Sequence, residues 1–418
     1  MKTRHQCKLL LLIFCLSVGT VFSQERFYLQ QGDRVVFYGD SITEQRLYTT
    51  FVETFVLTRF PNLRVSFVHS GVGGDRVTGG WAGGIDLRLN RDVFAYKPTV
   101  MTIMLGMNDG SYRAFDEEIF NTYKTGYQKI LESVKTRLPD IKITLIQPSP
   151  YDDVTRPPEF EGGYNSVLVR YGLFVKELAT LEKQNVADLN TSIVAALVKA
   201  NAADAELAKK IIEDRVHPGP AGHLLMAAAL LKSWNAPSVV TLVEIDGALK
   251  EVKHQINTEV TDLRGSDNLE WKQHDRALPM PLDLKDKTML LALRSSDFLE
   301  TLDQQILRAS GLKASQYRLK IDGMDLGPFA KDRLAAGINL AEFPTPMLKQ
   351  ALEVHDLTLK HNSIHAARWQ ELQVGLANKS LPHLQPALDA LEALEAELVA
   401  QQQAVAQPRV WHFELIAE

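Results

Sequence analysis

A chain of 418 residues, 45% hydrophobic and 8% aromatic, can bury more than one core. Its formal net charge is −5 and it carries no basic block, which argues against nucleic acid or an anionic membrane surface as a main partner.

The first 23 residues read as a signal peptide. Lys2, Arg4 and Lys8 make a positive start, Leu9 to Val21 is almost wholly apolar, and Val21 and Ser23 suit a cleavage site before Gln24. The apolar run falls short of the roughly 20 residues of a membrane span. Both cysteines, Cys7 and Cys15, lie in this leader. The mature protein is therefore expected to have no disulfide, no cysteine nucleophile and no thiolate metal site. It is expected to be exported, periplasmic or secreted, with no stable membrane span after cleavage.

Residues 24–236 alternate strand-like and helix-like stretches. Arg34–Tyr38, Val65–Val68, Thr99–Leu105, Ile141–Ile146 and Val186–Asp188 are short apolar or β-branched runs. Longer segments of helical pattern, such as Phe115–Leu138 and Ser166–Lys183, lie between them. Five strands with helical crossovers predict a flavodoxin-like α/β/α sandwich with a five-stranded parallel sheet in the order 2-1-3-4-5. Ligands bind such folds at the carboxyl ends of the strands.

The pattern changes after Trp234-Asn235-Ala236-Pro237. Residues 237–335 read as a small β-rich segment, with strands at Val239–Ile245, Glu251–Val260, Met289–Leu293 and Tyr317–Ile321. Asp246-Gly247 and Asp322-Gly323 fit hairpin turns. Residues 336–418 read as a helical C-terminal region. Pro344-Thr345-Pro346 opens one helix, and Pro386 starts another over Ala387–Gln403.

Chemistry-bearing residues follow the predicted strands. Gly39-Asp40-Ser41 ends the first. Gly71-Val72-Gly73-Gly74-Asp75 follows the second, and Gly106-Met107-Asn108-Asp109 the third. Asp214-Arg215-Val216-His217-Pro218 comes after the fifth. A serine hydroxyl is a poor nucleophile until an adjacent imidazole accepts its proton, and Asp and His three residues apart can face one site from one loop. These four blocks, in this order, resemble the SGNH/GDSL hydrolase superfamily of esterases over roughly residues 32–235.

The resemblance implies a serine esterase. Ser41 would be the nucleophile, His217 the general base, and Asp214 the group that orients His217. The backbone N–H groups of Ser41 and Gly74 and the side-chain amide of Asn108 would form the oxyanion hole. His69 stands where this family often has asparagine, and Gly73 where it often has serine; His69 is expected to be structural, and His223 a helix-surface or packing residue. Asp75 and Arg76 could form a salt bridge or contact substrate. Trp81, in a glycine-rich loop, could stack on a sugar ring. The implied substrate is a small-acyl ester, with an acetylated glycan favoured. A lipid-directed esterase and a glycan-binding protein on a hydrolase scaffold are the alternatives.

Other chemistries fit poorly. Gly71-Val72-Gly73-Gly74-Asp75-Arg76 begins like a dinucleotide fingerprint, but Arg76 takes the third glycine's place. There is no phosphate loop and no His-Glu-x-x-His pair. The implied mechanism needs no metal and no cofactor.

Overall fold

The computed structural model describes residues 26–377 and 379–418, so the expected signal peptide lies outside the described residues. Five parallel strands form the central sheet: β1 (Arg34–Gly39), β2 (Ser66–Gly71), β3 (Val100–Met104), β4 (Lys142–Gln147) and β5 (Asn185–Asp188). Their order is β2-β1-β3-β4-β5, the order expected from the alternating pattern. Val35, Val36, Phe37 and Tyr38 of β1 are all fully buried, as befits a strand covered on both faces.

Helices cover the sheet. A single turn, α1 (Ser41–Glu44), leaves β1 directly and runs into α2 (Leu47–Arg59). Next come α3 (Ile85–Asp92), α4 (Glu117–Arg137), α5 (Gly163–Leu181) and α6 (Pro220–Ser233). The strand-to-helix turn at Gly39 is tight: a Cβ there would lie 2.7 Å from the Met104 carbonyl oxygen and 2.3 Å from Thr43 Oγ1. Only glycine lets α1 sit this close to the strand ends.

The β-rich region is a sandwich. Its strands are β6 (Val239–Asp246), β7 (Glu251–Ile256), β8 (Thr258–Gly265), β9 (Leu269–Asp275), β10 (Gln304–Ser310), β11 (Gln316–Ile321), β12 (Met324–Ala330) and β13 (Ile338–Asn339). A final strand, β14 (Val410–Ala417), completes it. One sheet has the order β8-β9-β14-β11-β12, the other β13-β10-β6-β7. Both feed one apolar core: Val243 and Leu307 come from the second sheet, and Trp271, Leu319 and Phe413 from the first.

Three expectations for this part change. Met289–Leu293 is not a strand; it lies in helix α7 (Lys287–Ser295). Asp286 caps that helix, its carboxylate accepting from the Thr288 N–H at 2.8 Å. Met289, Ala292 and Leu293 pack into the core of the first region. A five-residue apolar run cannot by itself separate strand from helix, and the cap decides. Glu251–Val260 is two strands, broken at Asn257, whose φ is 55°. The helical close of the chain is a helix pair, α8 (Pro346–Ala366) and α9 (Leu384–Val405), but it ends in β14. Trp411, Phe413 and Leu415 of β14 are buried and alternate with His412 and Glu414, a period-two pattern the residues themselves carry.

Buried polar contacts join the regions. Arg59 on α2 donates to the carbonyls of Pro237 at 2.9 Å and Leu302 at 3.0 Å and pairs with Asp303 at 3.4 Å. Asn362 on α8 donates to Thr50 Oγ1 at 2.9 Å and Glu53 Oε2 at 3.2 Å, both on α2. No helix among the described residues is long and apolar enough to cross a membrane.

Candidate active site

Ser41 is the first residue of α1, at the carboxyl end of β1. Asp40 caps the turn, its carboxylate accepting from the Ile42 N–H at 3.0 Å. One helical turn has little macrodipole, so local backbone N–H groups rather than the helix supply positive potential here.

Asp214 and His217 meet Ser41 from one loop. Asp214 Oδ1 accepts from the backbone N–H groups of Val216 at 2.9 Å and His217 at 2.7 Å. Its other oxygen accepts from His217 Nδ1 at 2.6 Å. His217 Nε2 then accepts from Ser41 Oγ at 2.8 Å. The carboxylate thus fixes both the loop and the imidazole tautomer. Burial pushes the Asp214 carboxyl upward, but these hydrogen bonds outweigh it and hold the group below its ordinary range.

A second loop braces this one. Arg156 donates to the carbonyls of Lys209 at 3.3 Å, Ile212 at 3.1 Å and Glu213 at 2.6 Å, and pairs with Asp152 at 2.9 Å. Arg215, at a φ of 72°, turns its side chain back to the carbonyls of Asp152 at 3.2 Å and Pro157 at 3.0 Å. No sequence motif announced Arg156. It acts across 53 to 57 residues of chain.

The expected oxyanion donors differ in exposure and commitment. Gly74 is exposed, with a φ of 77° that disfavours any other residue. Asn108 follows β3; its Nδ2 donates to the Asp75 carbonyl at 3.1 Å, and its Oδ1 accepts from the Tyr112 hydroxyl at 2.9 Å. That anchoring uses one amide hydrogen and leaves the other for a ligand. Asn108→Ala is expected to lower kcat by about 10²–10³-fold, with KM changed far less. Steady-state kinetics on an aryl acetate would check this; an unchanged kcat would remove Asn108 from the oxyanion hole.

The remaining expected contacts divide. Asp75 is not placed to touch substrate. It is buried and pairs with Arg88 on α3 at 2.7 Å, not with its neighbour Arg76. Arg76 and Trp81 are exposed, Trp81 by 64%. His69 is buried and structural in its contacts: Nδ1 meets Thr49 Oγ1 at 2.7 Å and Nε2 meets Glu53 Oε2 at 3.2 Å. His223 is buried rather than on a helix surface. Its Nδ1 accepts from the Tyr48 N–H at 3.1 Å, so Nε2 carries the proton and donates to Gln45 Oε1 at 2.8 Å. Burial pushes its pKa down to about 3, which keeps this imidazole neutral. Burial also pushes Asp40 and Asp109 up to about 7, which reduces negative charge behind the nucleophile.

Ser41 and His217 open on a cleft of about 520 Å³. Glu44, Gln45 and Arg46 line it, and Gln370 and Glu371 come to it from the C-terminal region. Nothing local in the sequence pointed to these last two.

Residues 37–225 match the GDSL-like Lipase/Acylhydrolase family. An acetylxylan esterase of Geobacillus stearothermophilus is 27% identical over 223 residues, 48% of this chain and 93% of that protein. A crystal structure of an acetylxylan esterase from Geobacillus stearothermophilus aligns with 50% of this chain and 96% of that one, at 24% identity and a TM-score of 0.41. A gut microbial diltiazem-metabolizing enzyme aligns with 93% of this chain and 98% of its own, at 24% identity and a TM-score of 0.82. That last likeness extends the shared fold over the C-terminal region as well as the central sheet.

Proposed function

Because this chain belongs, through residues 37–225, to the GDSL-like lipase/acylhydrolase family of ester hydrolases, we propose that it is an exported serine esterase releasing acetyl groups from carbohydrates. The observation that carries the mechanism is the continuous relay from Asp214 through His217 to Ser41, with links of 2.6 and 2.8 Å. Ser41 Oγ attacks the ester carbonyl carbon as its proton passes to His217 Nε2. The oxyanion takes hydrogen bonds from the Ser41 and Gly74 N–H groups and the Asn108 amide. The intermediate collapses, the C–O bond to the alcohol breaks, and His217 returns the proton to the leaving oxygen. Water, deprotonated by His217, then attacks the acyl-Ser41 ester and frees the acid and the serine.

The acyl preference rests on the acetylxylan esterase relative and on a cleft with polar walls. Export rests on the N-terminal leader pattern. The test uses residues 24–418 on p-nitrophenyl acetate, butyrate and octanoate and on acetylated xylan. We expect kcat/KM to fall with chain length and acetate to be released from the polysaccharide. Faster turnover of octanoate than acetate would overturn the small-acyl reading.

A further inference from the structure

We infer that Gln370 and Glu371, far outside the family-matched residues, form the subsite for the leaving alcohol and select an uncharged, polyhydroxylated group there. This inference rests on the carbohydrate esterase reading. Both residues lie in a π-helical turn, Ala367–Val374, that continues α8. Such turns are uncommon and often occur at functional sites.

The turn is held in place by buried contacts. Trp369 is 2% exposed, packs against Val72 and Ala82, and donates from Nε1 to Asp92 Oδ1 at 2.7 Å. Arg368 donates to Glu395 Oε1 at 2.5 Å on α9. Gln370 Nε2 donates to Glu44 Oε1, three residues after the nucleophile. Gln370 and Glu371 therefore line the cleft that holds Ser41 from a turn anchored by buried contacts, as a specificity wall requires.

The side of the scissile bond follows from proton bookkeeping. The leaving oxygen must receive its proton from His217 Nε2, so the alcohol departs on the histidine side. The cleft that Gln370 and Glu371 line is also lined by His217, whereas Gly74 and Asn108, which would hold the carbonyl oxygen, lie outside its lining. Its walls offer acceptors at Glu44, Glu371 and Gln370 Oε1 and donors at Gln45 and Arg46. Sugar hydroxyls both donate and accept, and they suit such a mixture. Two carboxylates beside one guanidinium disfavour an anionic group.

The test compares residues 24–418 with Gln370→Ala and Glu371→Gln. The substrates are acetylated methyl xyloside, the acetylated methyl glycoside of glucuronic acid, and p-nitrophenyl acetate. Each variant should lower kcat/KM on the xyloside relative to p-nitrophenyl acetate by about tenfold, chiefly through KM. Glu371→Gln should also narrow the preference for the xyloside over the uronate. Glu371→Gln preserves side-chain shape, and thermal midpoints show whether each variant folds. Unchanged substrate ratios in a folded Glu371→Gln protein would overturn the subsite. A parent enzyme active on p-nitrophenyl acetate but on neither sugar acetate would overturn the carbohydrate reading, and this inference with it.

Discussion

Replacing Ser41 with alanine is expected to lower kcat on p-nitrophenyl acetate by about 10⁶-fold, and Asp214→Asn by about 10⁴-fold. The first change removes the hydroxyl that His217 Nε2 is placed to deprotonate, 2.8 Å away. The second keeps the shape of the loop but replaces the acceptor of His217 Nδ1–H, so the imidazole can turn to the wrong tautomer. Neither should unfold the protein. Asp40, not Ser41, caps α1, and the loop of Asp214 is braced separately by Arg156. Burst-phase kinetics on the parent enzyme and steady-state rates on the variants would measure both effects. A loss under tenfold in a folded Ser41→Ala protein would put the nucleophile elsewhere.

Where the chemistry is local, residues are readable in order. Asp214 and His217 share one turn, and Ser41 follows a strand whose apolar run is continuous. The strand order was readable for a related reason, since helical crossovers leave few ways to arrange five parallel strands. The partner of Asp75 was not, because adjacency in sequence suggested Arg76 while packing chose Arg88 on the next helix. The strand at Val410–Ala417 carries its alternation in the residues, but it is short and follows closely on a helix of 22 residues whose composition dominates that end of the chain. Gln370 gave no local sign at all: its contact with Glu44 spans 326 residues and exists only once α8 has packed on α2.

Arg88→Met should destabilise the protein by about 3–5 kcal/mol. Arg88 is fully buried. It donates to Asp75 Oδ2 at 2.7 Å, to Asp92 Oδ2 and to the Ser70 carbonyl at 2.8 Å, and it lies over the Tyr38 ring at 4.9 Å. Methionine can refill part of the volume but leaves Asp75 in a site where its other oxygen already lacks a partner among the described residues. Asp92 would fare better, because Arg91 and Trp369 still donate to it. The damage should therefore concentrate at Asp75, whose backbone follows Gly74 and accepts from Asn108. Two readouts separate this account from general loss of packing. Urea unfolding should show a lower midpoint for Arg88→Met, partly restored by adding Asp75→Asn but hardly by adding Asp92→Asn. At temperatures where the single variant remains folded, kcat should still fall, because the loop carrying Gly74 and the support of Asn108 have lost their buried anchor. Equal rescue by both asparagine substitutions, or a full kcat in the folded single variant, would mean that Arg88 serves the core and not the oxyanion loop.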